Sequence, residues 1–314
     1  MFMPNDAATP GQLPLERTAQ ITRTTALLSV AVASLLFVLK AGAWYFSGSV
    51  AMLSSMADSA LDGAASLFTL LAVGYATTPP DDAHRFGHGK AEALAALLQA
   101  LLVGAAAALV AREAIAQILD PQPLQQAPLA IAVMIISIAL TIGLISAQTW
   151  AVRRTGSVAT AGDRAHYFSD LGANLAVIGG IAAAGLFGVA WADPVIGLLV
   201  AAWLAWTAID VARGGINQLL DHELDDDARA KIEGAVLSSG KVLGVHGLRT
   251  RASGPYIHIQ FHADLPPDLS LIEAHERMVE AEARILDIFP AADVLIHPDP
   301  RGAAIEHGSA AFKA

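Results

Sequence analysis

The chain has 314 residues, of which 54% are hydrophobic and 15% charged, with a net charge of −10 and no cysteine. Soluble domains carry roughly a quarter charged residues, so the deficit excludes an ordinary soluble globule. The missing cysteines exclude disulfides and thiolate metal ligands, and the lack of a basic footprint excludes nucleic acid as a partner.

The first 20 residues hold Asp6 and Glu16 and no apolar core, so they are expected to form a flexible cytoplasmic tail, not a cleavable leader. Apolar runs then follow, each long enough to cross ~30 Å of hydrocarbon as a helix. They predict membrane helices over about 21–46, 51–76, 91–118, 128–151, 158–187 and 191–213, within a transmembrane domain of 21–215. Asp221 to Asp299 contains 15 acidic and 7 basic residues, so most of the negative charge belongs to a water-facing domain over 220–300. There the pattern predicts a helix from Asp225, strands over 245–252 and 256–263 joined at Ser253-Gly254-Pro255, an amphipathic helix over 271–288 and a strand over 293–297. Residues 301–314 are expected to be a disordered tail. The fold class is therefore an α-helical membrane protein of six transmembrane helices with a C-terminal α+β (αββαβ) domain.

Orientation follows the basic residues at the helix ends. Arg17, Arg23, Arg85, Lys90, Arg153, Arg154 and Arg213 lie on one side, and only Arg112 on the other. The crowded side is expected to be cytoplasmic, with both termini there, as an even number of crossings requires.

The sharpest signal is a set of four ionisable residues within apolar spans. Asp58 and Asp62 on the second helix, and His166 and Asp170 on the fifth, are each spaced i, i+4 and so share one helix face. An acidic side chain at mid-bilayer costs ~2.5–3.5 kcal/mol, so three need a positive partner. Three carboxylates and one imidazole suit a four-coordinate divalent transition metal: harder than a Cu(I) site, softer than an all-oxygen magnesium or calcium site. The competing reading is a set of interhelical hydrogen bonds or a proton path. Lys40 is expected to snorkel outward from the first helix.

With these residues in view, the chain resembles the cation diffusion facilitator family, most closely its bacterial ferrous-iron and zinc efflux branch. The likeness rests on Asp58-x-x-x-Asp62, His166-x-x-x-Asp170, the loop from Pro80 to Lys90 containing Asp81, His84 and His88, and Leu248-Arg249-Thr250-Arg251 followed by Ser253-Gly254-Pro255. It runs from about Leu27 to Pro300. The resemblance implies a homodimer in a bacterial inner (plasma) membrane, exporting Zn²⁺ or Fe²⁺, with Cd²⁺ a further candidate, in exchange for protons by alternating access at Asp58, Asp62, His166 and Asp170. It implies a loop metal site at Asp81, His84 and His88, and a binuclear site at His246, His262, His275, His297 and Asp299 in a metallochaperone-like cytoplasmic domain. It also implies a charge interlock between Lys90 and Asp221. His258 and His307 fall outside the family pattern. No prosthetic group is expected; the metals are substrate and regulatory ions, and the partners are a second copy, lipid, metal and protons. A non-transporting metal sensor and an intramembrane metalloenzyme are the alternatives, and the second lacks a His-Glu-x-x-His motif, with Glu280 where the second histidine would fall.

Overall fold

Leucine and alanine dominate the first two-thirds of the chain, and both are strong helix formers. In the computed structural model, which describes residues 8–47, 50–119, 128–187 and 192–302, this region forms six long helices. They are α1 (Leu15–Ser47), α2 (Val50–Ala76), α3 (Ala91–Leu119), α4 (Pro128–Thr155), α5 (Val158–Phe187) and α6 (Ala192–Leu219). Among the described residues, α1, α2, α3, α4 and α6 contain stretches long and apolar enough to cross a membrane. α5 is 30 residues long and carries Asp163, Arg164, His166 and Asp170 in its first half.

α5 is the central helix, in contact with all five others, while α3 pairs with α6 and α1 with α2. Small residues allow that closeness: a Cβ on Gly162 would come within 3.0 Å of the Gln99 side chain. Large apolar side chains such as Leu101, Leu109 and Leu199 face outward, whereas Gln99, Gln148 and Asp163 are sealed inside. Asp163, 1% exposed, accepts from Ser66 Oγ of α2 (3.2 Å), Gln99 Nε2 of α3 (3.2 Å) and Gln148 Nε2 of α4 (2.8 Å). Gln148 Nε2 also donates to Ser29 Oγ of α1 at 3.1 Å, so one carboxylate ties α5 to the four other helices around it. In hydrocarbon such polar groups need internal partners; the Asp163 carboxylate and both amide nitrogens have them, while Gln99 Oε1 and Gln148 Oε1 are buried with no hydrogen-bond partner among the described residues.

The C-terminal unit is α7 (Asp226–Leu237), β1 (Gly244–Ser253), β2 (Tyr256–Leu265), α8 (Leu271–Ile288) and β3 (Ala292–Pro300), in the expected αββαβ order. Asp225 caps α7 through the Ala228 N–H, and Ser270 with Glu273 forms a capping box on α8. β1 and β2 are antiparallel, and α8 carries the chain across so that β3 joins β2 in parallel. Alternate residues of β2 (Ile257, Ile259, Phe261, Ala263 and Leu265) face a core completed by Ile232, Val236, Ile285 and Phe289. His258, Gln260, His262 and Asp264 take the other face.

The two units are held together at backbone level. The α2–α3 loop lies against the β1–β2 turn so closely that a Cβ on Gly89 would meet the Ser253 carbonyl oxygen at 1.8 Å, and Gly254 adopts φ +57° there. Lys90 Nζ pairs with Asp221 Oδ1 at 2.9 Å, and Arg251 pairs with Asp221 Oδ2 at 3.0 Å.

The expected flexible tail over residues 1–20 is corrected in part. α1 begins at Leu15, six residues before the expected start, because Leu-Glu-Arg-Thr-Ala-Gln continues the helical pattern. Residues 8–14 are wedged between the units: Ala291 N donates to Gly11 O (3.2 Å), Thr9 Oγ1 donates to Asp225 Oδ2 (3.4 Å), and the Ala8 carbonyl sits where a Cβ on Gly156 would be. Residues 1–7, and the expected tail after Gly302 with His307, lie outside the described residues.

Burial works to raise the Asp221 carboxyl, but the hydrogen bonds and charges of Lys90 and Arg251 outweigh it and hold the group below the usual carboxylate range. A lowered folded value means that the contribution is complete above the unfolded value, ~3.9, and is lost as pH falls through the folded one. Asp221 also has φ +57°, which asparagine tolerates and alanine does not. Asp221→Asn should cost about 1 kcal/mol, and Asp221→Ala about 1 kcal/mol more. Thermal unfolding of the full chain should show the Asn deficit unchanged between about pH 5 and 8 and shrinking as pH falls below about 3.9.

Candidate metal centre

Asp62 of α2 meets His166 and Asp170 of α5 at one point inside the helix bundle. One ligand atom from each lies within 4.8 Å of the others, and His166 Nε2 is 3.0 Å from Asp62 Oδ1. The spacing places His166 and Asp170 one turn apart on α5, and the crossing of α2 supplies Asp62. His166 Nδ1 is buried without a hydrogen-bond partner among the described residues, an unusual state for a ring nitrogen. Asp58, one turn before Asp62, is exposed and stands outside this trio.

Lys40 corrects an expectation. It does not snorkel outward; its Nζ donates to Ser59 Oγ at 2.7 Å, between Asp58 and Asp62 in sequence. Its charge lies near enough to interact with Asp58 and Asp170. The physical reason is that carboxylates in an apolar bundle offer the ammonium a better partner than a climb to the interface.

The loop residues Asp81, His84 and His88 also converge within 4.8 Å. Asp81 Oδ1 accepts from the backbone N–H groups of His84 (2.6 Å) and Ala83 (2.9 Å), and Oδ2 lies 3.3 Å from His88 Nε2. The His84 N–H above all holds the Asp81 carboxyl below its ordinary value, so the oxygen is available as an anion. His88 is buried, its Nδ1 2.9 Å from Thr78 Oγ1 and its ring against Tyr75.

In the C-terminal sheet, strand register aligns His246, His262 and His297 side by side, with Asp264 opposite Asp299 in the row beside them. A bulge after His246, with Gly247 at φ +61°, gives β1 this register. Asp299 is the hub: its Oδ2 lies 2.8 Å from His262 Nδ1 and 3.3 Å from His246 Nε2, and its Oδ1 lies 3.4 Å from His297 Nε2. His246, His262 and Asp299 satisfy the spacing for one metal ion. His275 is exposed on α8, and none of the described contacts joins it to this group in the single chain.

Sequence reasoning missed several neighbours. Asp264 faces His246 at 3.5 Å, and Arg251 makes the interlock a triad. His258 is buried, its Nδ1 3.0 Å from Asp293 Oδ2 and its ring against Phe86 of the α2–α3 loop. Glu92, fully buried, accepts from Ser157 Oγ at 2.5 Å and from backbone N–H groups at the α5 N-terminus. An acid at the first turn of an apolar helix was the available signal.

Comparison with known proteins agrees with this architecture. Residues 26–220 match the family model described as the cation efflux transmembrane domain, and residues 224–301 match that of the cation efflux protein, cytoplasmic domain. The chain is similar to the cation-efflux pump FieF of Cronobacter sakazakii, 38% identical over 281 residues that cover 90% of this chain and 93% of that protein. It is likewise 38% identical to FieF of Serratia proteamaculans over 282 residues (90% and 94%), and 39% identical to that of Yersinia enterocolitica over 282 residues (90% and 94%).

The geometry ranks the candidate C-terminal ligands. With the intramembrane trio disabled by His166→Ala, chelator competition on the full chain should show Asp299→Ala lowering zinc affinity at least roughly tenfold, because three imidazoles lose their shared partner. His275→Ala should have a smaller effect.

Proposed function

This chain belongs to the cation efflux family and is a multi-pass membrane transporter, not an enzyme; from that premise we propose that it exports Zn²⁺ or Fe²⁺ from cytoplasm to periplasm in exchange for protons. The observation that carries the reading is the meeting of Asp62, His166 and Asp170 inside the helix bundle. Their mixed oxygen and nitrogen donors suit a borderline divalent ion.

Residues 21–215 form the transport unit and 220–300 the cytoplasmic metal-binding and dimerisation unit, in a homodimer spanning the inner membrane with both termini inside. The metal enters from the cytoplasm and takes the lone pairs of Asp62, His166 and Asp170. Those atoms must be deprotonated to bind it, so metal and protons compete for one set of sites. Asp58, one helical turn away, completes the ligand set once α2 shifts. Lys40 supplies the counter-charge while the metal is absent and yields the carboxylates when a doubly charged ion arrives. The helices then rock to open toward the periplasm, where protons displace the metal, and the proton gradient drives the cycle.

The loop trio Asp81, His84 and His88 binds a second ion beside the interlock. His246, His262, His297 and Asp299, joined by His275 at the dimer contact, bind regulatory metal and clamp two copies together. Lys90, Asp221 and Arg251 transmit that clamp to α3 and α6.

Proteoliposomes with an imposed pH gradient test the reading. Zinc flux should fall at least roughly tenfold in both Asp62→Ala and His166→Ala, the loss seen even when an outer partner of a metal ligand is removed. Flux that persists in these variants, or that ignores the pH gradient, contradicts it.

A further inference from the structure

A cavity of about 400 Å³ opens at the end of the bundle that carries the C-terminal domain. Its walls are the close of α4, the Gly156–Ser157 connection, the start of α5 and the last turns of α6. Three arginines line it: Arg153, Arg164 and Arg213. Asp210 is the single acid among the described lining residues. Arg153 and Arg164 lie near enough to act on each other as like charges.

This positive excess makes the cavity a poor vestibule for a divalent cation and a good receptor for an anion. The wall also has a gradient. Arg213 and Asn217 lie near the end of α6, whereas Trp206 and Trp203 lie seven and ten residues earlier, roughly 10 and 15 Å deeper along the helix. Phe168 of α5 stacks edge-on against Trp203, with ring centroids 6.3 Å apart. Both tryptophans are exposed on the outer surface of the bundle. A small soluble anion would use only the cationic mouth. A molecule with an anionic head and an apolar tail would use the whole wall.

We propose that this cavity is a binding site for an anionic glycerophospholipid, with its phosphate held by Arg153, Arg164 and Arg213 and its acyl region laid along Trp206, Trp203 and Phe168. Basic pockets between membrane helices on the cytoplasmic side recognise such headgroups. Arginine is suited to the phosphate because its planar fork offers paired donors, and the indoles suit the interface. The site joins α4, α5 and α6, so an occupied cavity ties the central helix to the helix that leads into the C-terminal domain.

Native mass spectrometry of the full chain in detergent tests this, with phosphatidylglycerol, phosphatidylcholine and inorganic phosphate as probes. The expected result is phosphatidylglycerol retained at least roughly tenfold above phosphatidylcholine, with retention falling roughly fivefold for each arginine removed in R213Q and R153Q/R213Q. W206A should weaken retention while keeping the headgroup preference. Arg213 is exposed, so R213Q alone decides the matter should the double variant fail to fold. Equal retention of the two lipids, retention unchanged in R213Q, or displacement of phosphatidylglycerol by inorganic phosphate would overturn the proposal. Retention is read without metal or flux, so this outcome is independent of the transport reading.

Discussion

A carboxylate in hydrocarbon needs a partner of opposite charge or a set of hydrogen-bond donors, and the helix bundle is arranged to meet that need around α5. Asp163 is satisfied by donors from α2, α3 and α4. Asp62, His166 and Asp170, one to two turns further along, satisfy one another only in part: Nδ1 of the imidazole has no partner among the described residues, and a lysine leans in from α1. The first group fixes the bundle and the second keeps donor atoms open. The candidate metal site thus stands beside a well-partnered polar anchor.

The same logic extends to the C-terminal end. Glu92 of α3 caps the start of α5, two residues after Lys90, which reaches Asp221 at the end of α6. Arg251 of the β-sheet holds the second oxygen of that aspartate, and its guanidinium lies over Phe86, whose ring packs on His258. The candidate loop ligands Asp81, His84 and His88 share this short segment. The sheet is therefore linked to the α2–α3 loop and to the start of α3 by direct contacts, and to the start of α5 through Glu92. Residues 8–14 add a further strap across the same junction.

Much of this was legible in the sequence, and the reasons differ by element. The six helices could be read from continuous apolar runs and the i, i+4 pairs from helical spacing, both of them local properties. The alternation of β2 was legible for the same reason, including the shared face of His258 and His262. What could not be read depends on where another element lies. Lys40 turns inward because α2 brings Ser59 and its flanking aspartates alongside α1, which no spacing within α1 reveals. Asp163 was one acid in an apolar helix until donors from α2, α3 and α4 were seen around it. The row of His246, His262 and His297 needs the Gly247 bulge and the parallel register of β3, and Asp264 enters only through that register.

Proton release on metal binding is the most direct measurement of the central claim. The full chain, with the loop and C-terminal clusters disabled by His88→Ala and Asp299→Ala, would be titrated with zinc in weakly buffered detergent solution. The account predicts saturable uptake of one ion per chain with protons displaced as it binds, both abolished by adding Asp62→Ala. Uptake that survives the loss of Asp62, or that displaces no protons near neutral pH, would contradict it.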